Sequence, residues 1–364
     1  MNYFECSGVD RSVLNYPTIA KANGAIAQFK TDLNRNLLHA ICNFSATQAS
    51  GTPTPATPLQ INGVSKVNVI RCGKNLFKYD ANNIKTGTTT AQSTRAYLDL
   101  GLKGTNKFTI SAKIKEGETP TNTNINISKI RTDGLIEVLL VFILVGNTSP
   151  TTRTVTINQG ERLIFTMASD NPDTALVNIP KYDYQIELGT TQTDFSPYNG
   201  TTEIINLGGT YYGGTVDAIT GKITLTHQIC DLGDYSWSIS SLGGGRVYSQ
   251  NLNMLVGDLN VVYYDIVSNK YISASWNSID LSIERYNTLI RVHNSNFDGM
   301  TPSEIQTALV GTTAVYPLKT PIVVYAQNSA EIPTIQGDNN AFCDTGNIDI
   351  DYILSVDKYI QNQQ

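Results

Sequence analysis

The sequence predicts an all-β, multi-domain protein of jelly-roll or β-sandwich domains, with a short helical N-terminal segment and one short helix near 301–310. Three observations lead there. Apolar and polar residues alternate over short runs, with turns of Gly, Pro, Asn and Asp between them. Charged residues make up only 16% of the chain; Thr, Ser, Asn and Gly fill the deficit and 19 tyrosines outnumber 10 phenylalanines, a palette that suits strands with a wet surface. No fixed-period repeat is present, which argues against a solenoid or propeller. At 364 residues the chain is long enough for two or three domains.

Residues 1–64 form the first expected unit. In TIAKANGAIAQFKTDLNRNLL, Ile19, Ala22, Ile26, Phe29 and Leu33 fall at three- and four-residue spacings, which predicts a helix that Gly24 weakens. HAICNFSATQ alternates as a strand. Pro53, Pro55 and Pro58 in GTPTPATPLQI forbid helix and predict a stiff, extended connector, which sets the first boundary. The start, MNYFECSGVDRS, has neither a basic opening nor an apolar core, so no signal peptide is expected.

Residues 65–199 read as the second unit, a sandwich. KFTISAKI, INISKI and TVTINQGERLIFTMAS alternate as strands, separated by turns such as KEGETPTNTN. LIEVLLVFILVG (135–146) is too short for the ~20 residues that cross a bilayer as a helix and reads as a buried strand. In IPKYDYQIELG, Tyr182, Tyr184, Ile186 and Leu188 share one face, which predicts a closing strand ended by Gly189. Pro197 prevents its continuation, and Phe195 and Tyr198 are expected to pack back.

Residues 200–364 form the third unit. GGTYYGGTVDAITGKITLT predicts a hairpin with AITGK at its tip, and DYSWSIS, LNVVYYDIV and KYISASW follow as strands. TPSEIQTALVG predicts a helix: Thr301 as N-cap, Pro302 in the first turn, Glu304 closing a capping box and Gly311 stopping it. Ile348–Leu354 is the last strand.

Chemistry is sparse. A net charge of −5 with no Lys/Arg block excludes the basic stripe a nucleic-acid binder uses. Cys6, Cys42, Cys72, Cys230 and Cys343 are odd in number and widely spaced, as for free buried thiols made in a reducing cytoplasm. His39, His227 and His293 lack metal-ligand spacing. No nucleophile elbow, phosphate loop or dinucleotide fingerprint is present, and SLGGGRVYS reads as a turn. The carboxylate pairs Asp349/Asp351 and Asp183/Glu187 share strand faces and read as surface charge unless cross-strand geometry brings two acids together. No cofactor is expected; GDNN and SDNPD are the candidate positions for a structural Ca²⁺, without the EF-hand pattern.

Aromatic side chains offer another route, because Trp and Tyr stack on the C–H faces of sugars while amides and carboxylates bind hydroxyls. Tyr235 and Trp237, on one strand face, and Tyr211 and Tyr212, between glycine pairs, are the candidate carbohydrate-binding residues. Trp276 reads as core.

GTPTPATPLQINGVSKVNVIRCGKNLF resembles a recurring segment of tail and fibre proteins from phages and prophages of Gram-positive and gut bacteria, in which a proline connector leads to Gly-Lys-Asn-Leu-Phe. YQIELGTTQTDFSPY resembles the closing strand of carbohydrate-binding, jelly-roll-like modules in the same proteins. YYGGTVDAITGKITLT and IPTIQGDNNAFCDTGNIDIDYI are similar to their C-terminal region. The resemblance implies a homotrimeric virion protein of tail, baseplate or fibre type, assembled in the bacterial cytoplasm, with a virion-attachment segment over 1–64. Its implied partners are other tail proteins and host cell-surface polysaccharide, with no catalysis and no membrane insertion. The alternatives are a polysaccharide-degrading tail enzyme and a purely structural head-fibre or tail-adaptor protein.

Overall fold

The computed structural model describes residues 23–24, 26–31, 36–49, 51–103, 106–119, 124–143, 151–167, 179–249, 262–286, 289–334 and 337–355. They build two sandwiches and a subdomain inserted into the larger one.

In the small sandwich the alternation of KFTISAKI becomes the strand Asn106–Ile114, with Phe108, Ile110 and Ala112 buried. It is the middle of a three-stranded antiparallel sheet, between Thr151–Ile157 and Tyr182–Leu188. A five-stranded sheet runs in the order Ile136–Ile143, Asn124–Ile130, Arg162–Met167, Thr94–Lys103, Ile84–Thr88. One core joins the two: Leu98, Ile127 and Phe165 with Ile110, Tyr184 and Ile186, and Phe77 against Tyr184 at 4.8 Å between ring centroids. Each aliphatic or aromatic side chain so buried contributes about 1.5–3 kcal/mol. Within the apolar run 135–146, Ile136–Ile143 is a strand as expected, but at the sheet's edge, where Val138 is exposed instead of buried; 144–146 lie outside the described residues.

The large sandwich pairs a seven-stranded with a four-stranded sheet. The seven run Asn23–Gly24, Ile348–Ser355, Asn36–Ser45, Gly213–Asp217, Lys222–Asp231, Thr313–Tyr325, Val267–Ser268. The four run Thr201–Tyr211, Val64–Cys72, Gly337–Cys343, Ala27–Thr31. Leu38, Ala40, Val216 and Ile223 of one sheet share a core with Val67, Val69, Ile205 and Ala341 of the other. The hairpin falls at AITGK: Val216 pairs with Ile223, and Asp217 caps the turn by accepting from the amides of Ile219 and Thr220.

The N-terminal helix is corrected. Ala27–Thr31 is a strand, with Ala27 opposite Ala341 and Thr31 opposite Gly337. A ladder partner more than 300 residues away overrides the local three- and four-residue spacing, which Gly24 had already weakened. Ile19, Ala22 and Leu33 lie outside the described residues. The sheet pairings also cross the boundary expected at 64, since Asn36–Ser45 lies between Ile348–Ser355 and Gly213–Asp217. The proline stretch does not extend as a connector. Thr47–Gln48 pairs with Ile61–Asn62, and the Leu59 amide donates to the Asn269 carbonyl at 2.8 Å, so the segment folds back as a loop.

Between Asp231 and Thr313, which are register partners, the chain inserts a further sheet. Its strands run Trp237–Ile239, Arg246–Ser249, Leu289–His293, Ser282–Tyr286, Val262–Tyr263, with Ile272–Ser273 parallel to the fourth. The expected helix is there, Pro302–Ala308. The Glu304 carboxylate accepts from the Thr301 amide at 2.8 Å, the Thr301 hydroxyl accepts from the Glu304 amide, and Ile305 faces the core. No described helix is long and apolar enough to cross a membrane.

Candidate functional site

The two segments that carry the phage-protein resemblance in the small sandwich bind each other. Asn75, 2% exposed, uses its whole amide: Nδ2 donates to the carbonyls of Tyr184 and Ser196 at 3.0 and 2.8 Å. Its Oδ1 accepts from the amides of Phe77 and Ile186 at 2.9 and 3.1 Å. Glu187, expected as surface charge, and Gln185 on the same strand are both buried, covered by the loop that follows. Gln185 Oε1 accepts from the Ser196 amide at 2.6 Å, and the Glu187 carboxylate accepts from the amide and hydroxyl of Thr193. Tyr198 packs against the core as expected, whereas Phe195 is 42% exposed and does not. These polar residues hold a loop.

None of the four candidate sugar-binding aromatics is exposed. Trp237 is 4% exposed with its indole N–H donating to the Leu232 carbonyl at 2.9 Å, so no ring face is open to a sugar. Tyr235 is half-buried beside it; burial, with Cys230 and Tyr316 adjacent, pushes its phenol pKa up. Tyr211 and Tyr212 are half-buried, Tyr211 against the large core. Trp276 is core, as expected, with its indole N–H on the Val292 carbonyl at 2.9 Å.

The pair Asp183 and Glu187 does not form flanking acids. Asp183 and Glu187 stand four residues apart on one strand, about 13 Å at 3.3 Å per residue, beyond the ~5–9.5 Å of glycosidase pairs. Asp183 faces Lys113 at 4.0 Å. Asp349 is half-buried opposite Ile41, and the side chain of Asp351 lies outside the described residues. The GDNN stretch is a ladder strand, with Asn340 Nδ2 donating to the Gly73 carbonyl at 2.7 Å, which leaves no loop to wrap a Ca²⁺. SDNPD lies outside the described residues. Among the described residues no cluster of His, Cys, Asp and Glu has a metal-binding arrangement. His39 bonds Asp217 at 3.0 Å, and His293 Nδ1 lies 2.9 Å from the Ile279 carbonyl.

The third histidine stands in a cleft of about 360 Å³, within the size range of small-ligand sites. Four segments of the large sandwich meet there: Asn43–Ser45, Gly214–Thr215, Thr226–His227 and Thr345–Asn347. Gln159 reaches in from a turn of the small sandwich. A register break places His227. Leu225 pairs with Ile322 and His227 with Pro317, so the single residue 226 faces 318–321, and such bulges re-aim side chains. Glycines make the room: a Cβ on Gly213 would come within 2.6 Å of His227 Nδ1, and one on Gly214 within 2.3 Å of the Thr224 carbonyl.

The walls are pinned by hydrogen bonds. The Thr226 hydroxyl lies 3.0 Å from His227 Nδ1, the Thr345 hydroxyl donates to the Asn43 carbonyl at 3.0 Å, and the Asn43 amide donates to the Asn347 carbonyl at 2.8 Å. Burial lowers the pKa of His227, against a smaller opposing pull from Asp265, which favours the neutral ring at neutral pH. Among the described residues, no acid or cation lines this cleft. In the sequence His227 stands alone, because nothing local announces a site assembled from five distant segments.

A second, smaller recess of about 170 Å³ lies on the small sandwich among Ser111, Lys113, Asp183, Gln192, Asp194 and Phe195. Lys113 Nζ stands 5.6 Å from the Phe195 ring centroid and faces Asp183, so this recess is charged where the first is neutral. No family model, curated protein or solved structure matches the chain.

Proposed function

We propose that this chain is a structural protein of a bacteriophage tail, of fibre or baseplate type, which displays its sandwiches to glycans on the host surface. The observation that carries the binding half of this reading is the cleft around His227: amides, hydroxyls and a neutral imidazole converge on a ligand-sized space without the paired acids of a glycosidase. The virion half rests on the sequence resemblance and on an architecture of layered sheets. Homotrimers give the tail several copies of each weak sugar contact, and linked copies raise avidity by roughly 10²–10⁴ where geometry permits.

The purely structural alternative draws on a different observation, since Asn75, Gln185 and Glu187 spend their hydrogen-bonding capacity within the fold. Mass spectrometry and cryo-EM of purified particles test the virion assignment, with density for this chain expected in the tail. Its absence from particles rejects the assignment. Light scattering tests the oligomer, and a monomer that persists at micromolar concentration rejects the trimer. Reducing sugar released from host polysaccharide would favour the enzyme alternative.

A further inference from the structure

We propose that the His227 cleft recognises an uncharged stretch of saccharide, held by hydrogen bonds and not by ring stacking, with Gln159 closing over it from the small sandwich. This rests on the glycan-binding reading and names the ligand class that reading leaves open.

The lining decides the class. Asn43, Gln159 and Asn347 offer amides that both donate and accept, and Ser45, Thr215 and Thr226 offer hydroxyls that do the same. A sugar hydroxyl has the same dual capacity, so every such pair can be satisfied. An ionised carboxylate or phosphate entering this space would shed water and meet no compensating charge among the described lining residues, a cost that neutral hydroxyls avoid. Of the two rings in the described lining, Phe44 is 4% exposed in the large core and presents no stacking face, and the half-buried imidazole of His227 is held at Nδ1, 3.0 Å from the Thr226 hydroxyl. Recognition here is therefore by hydrogen bonds, the mode that discriminates best between ligands with and without a given hydroxyl.

Gln159 is the lining residue that can be replaced without disturbing the fold. It is exposed on the turn between Thr151–Ile157 and Arg162–Met167. That turn is braced: the Glu161 carboxylate accepts from the Asn158 amide at 2.9 Å and pairs with Lys129 at 2.7 Å. Replacing Gln159 therefore removes a ligand contact without touching either core.

The test uses the full chain on immobilised neutral oligosaccharides (glucans, galactans, rhamnans) beside charged ones (hyaluronate fragments and a glycerol-phosphate polymer). Titration calorimetry of the best binder with wild type and Gln159→Ala follows. A neutral oligosaccharide should bind, with affinity nearly unchanged from ~0.05 to ~0.5 M salt. Gln159→Ala should weaken it roughly 3- to 10-fold with an unchanged circular dichroism spectrum. Binding confined to the charged glycans overturns this inference while leaving the glycan-binding reading standing. Full affinity in Gln159→Ala removes the ligand from this cleft. Capture of no glycan by the folded oligomer rejects both.

Discussion

The side-chain amide of Asn75 donates to the backbone carbonyl of Ser196 at 2.8 Å, tying the Gly-Lys-Asn-Leu-Phe segment to the loop after the closing strand. Three further bonds of the same side chain reach Tyr184, Ile186 and Phe77. Asn75→Ala should leave two carbonyls and two amides unpartnered in the small core, a loss of about 2–4 kcal/mol. Asn75→Asp should be at least as damaging, because a carboxylate cannot donate to the Tyr184 and Ser196 carbonyls. Urea unfolding of both variants measures the effect; wild-type midpoints would show that the lock contributes nothing.

Trp237 belongs to the interior and not to a sugar platform. Trp237→Ala should cost about 3–5 kcal/mol through the cavity it leaves and the lost bond to the Leu232 carbonyl. Glycan affinity measured below the unfolding transition should be unchanged. A variant of native stability with lost binding would restore Trp237 as a ligand contact.

His227 should give the large sandwich a pH dependence of definite sign. Burial depresses its folded-state pKa below the ordinary 6.5, so at mildly acidic pH the unfolded chain binds a proton that the folded chain refuses. The associated stability is fully present above about pH 6.5 and is lost as pH falls through the folded-state pKa. Urea midpoints should drop between about pH 7.5 and pH 5, and His227→Gln should reduce the drop. An equal drop in both proteins would assign it to other groups.

A chain ending at residue 336 loses the strands Gly337–Cys343 and Ile348–Ser355 together. Asn36–Ser45 and Val64–Cys72 are then left with bare ladder edges, and the product should aggregate on expression. Soluble, monodisperse protein from that truncation would contradict the pairings described above.

What the sequence discloses depends on how far apart the cooperating residues lie. Tyr182–Leu188 is legible because its alternation is local, as is Pro302–Ala308, whose cap and box sit within four residues. Ala27–Thr31 is not: its apolar spacing fits a helix, and only the distant Gly337–Cys343 makes it a strand. Gln185 and Glu187 alternate like solvated residues because the loop over them is invisible to periodicity. The cleft is the extreme case, drawing on positions from 43 to 347.

The pairing of the first strands with the last fixes a timetable for biosynthesis. Asn43 waits for Asn347, 304 residues downstream, which at ~5–20 residues per second is roughly 15–60 s on the ribosome. The small sandwich, whose strands all lie within residues 84–188, can pair them during that interval, although its core is finished only when Phe342 arrives. Its larger neighbour closes only after Ile348–Ser355 has emerged, so a ribosome that stalls before that strand leaves Asn36–Ser45 with an open edge, which is where a nascent-chain chaperone has most to protect.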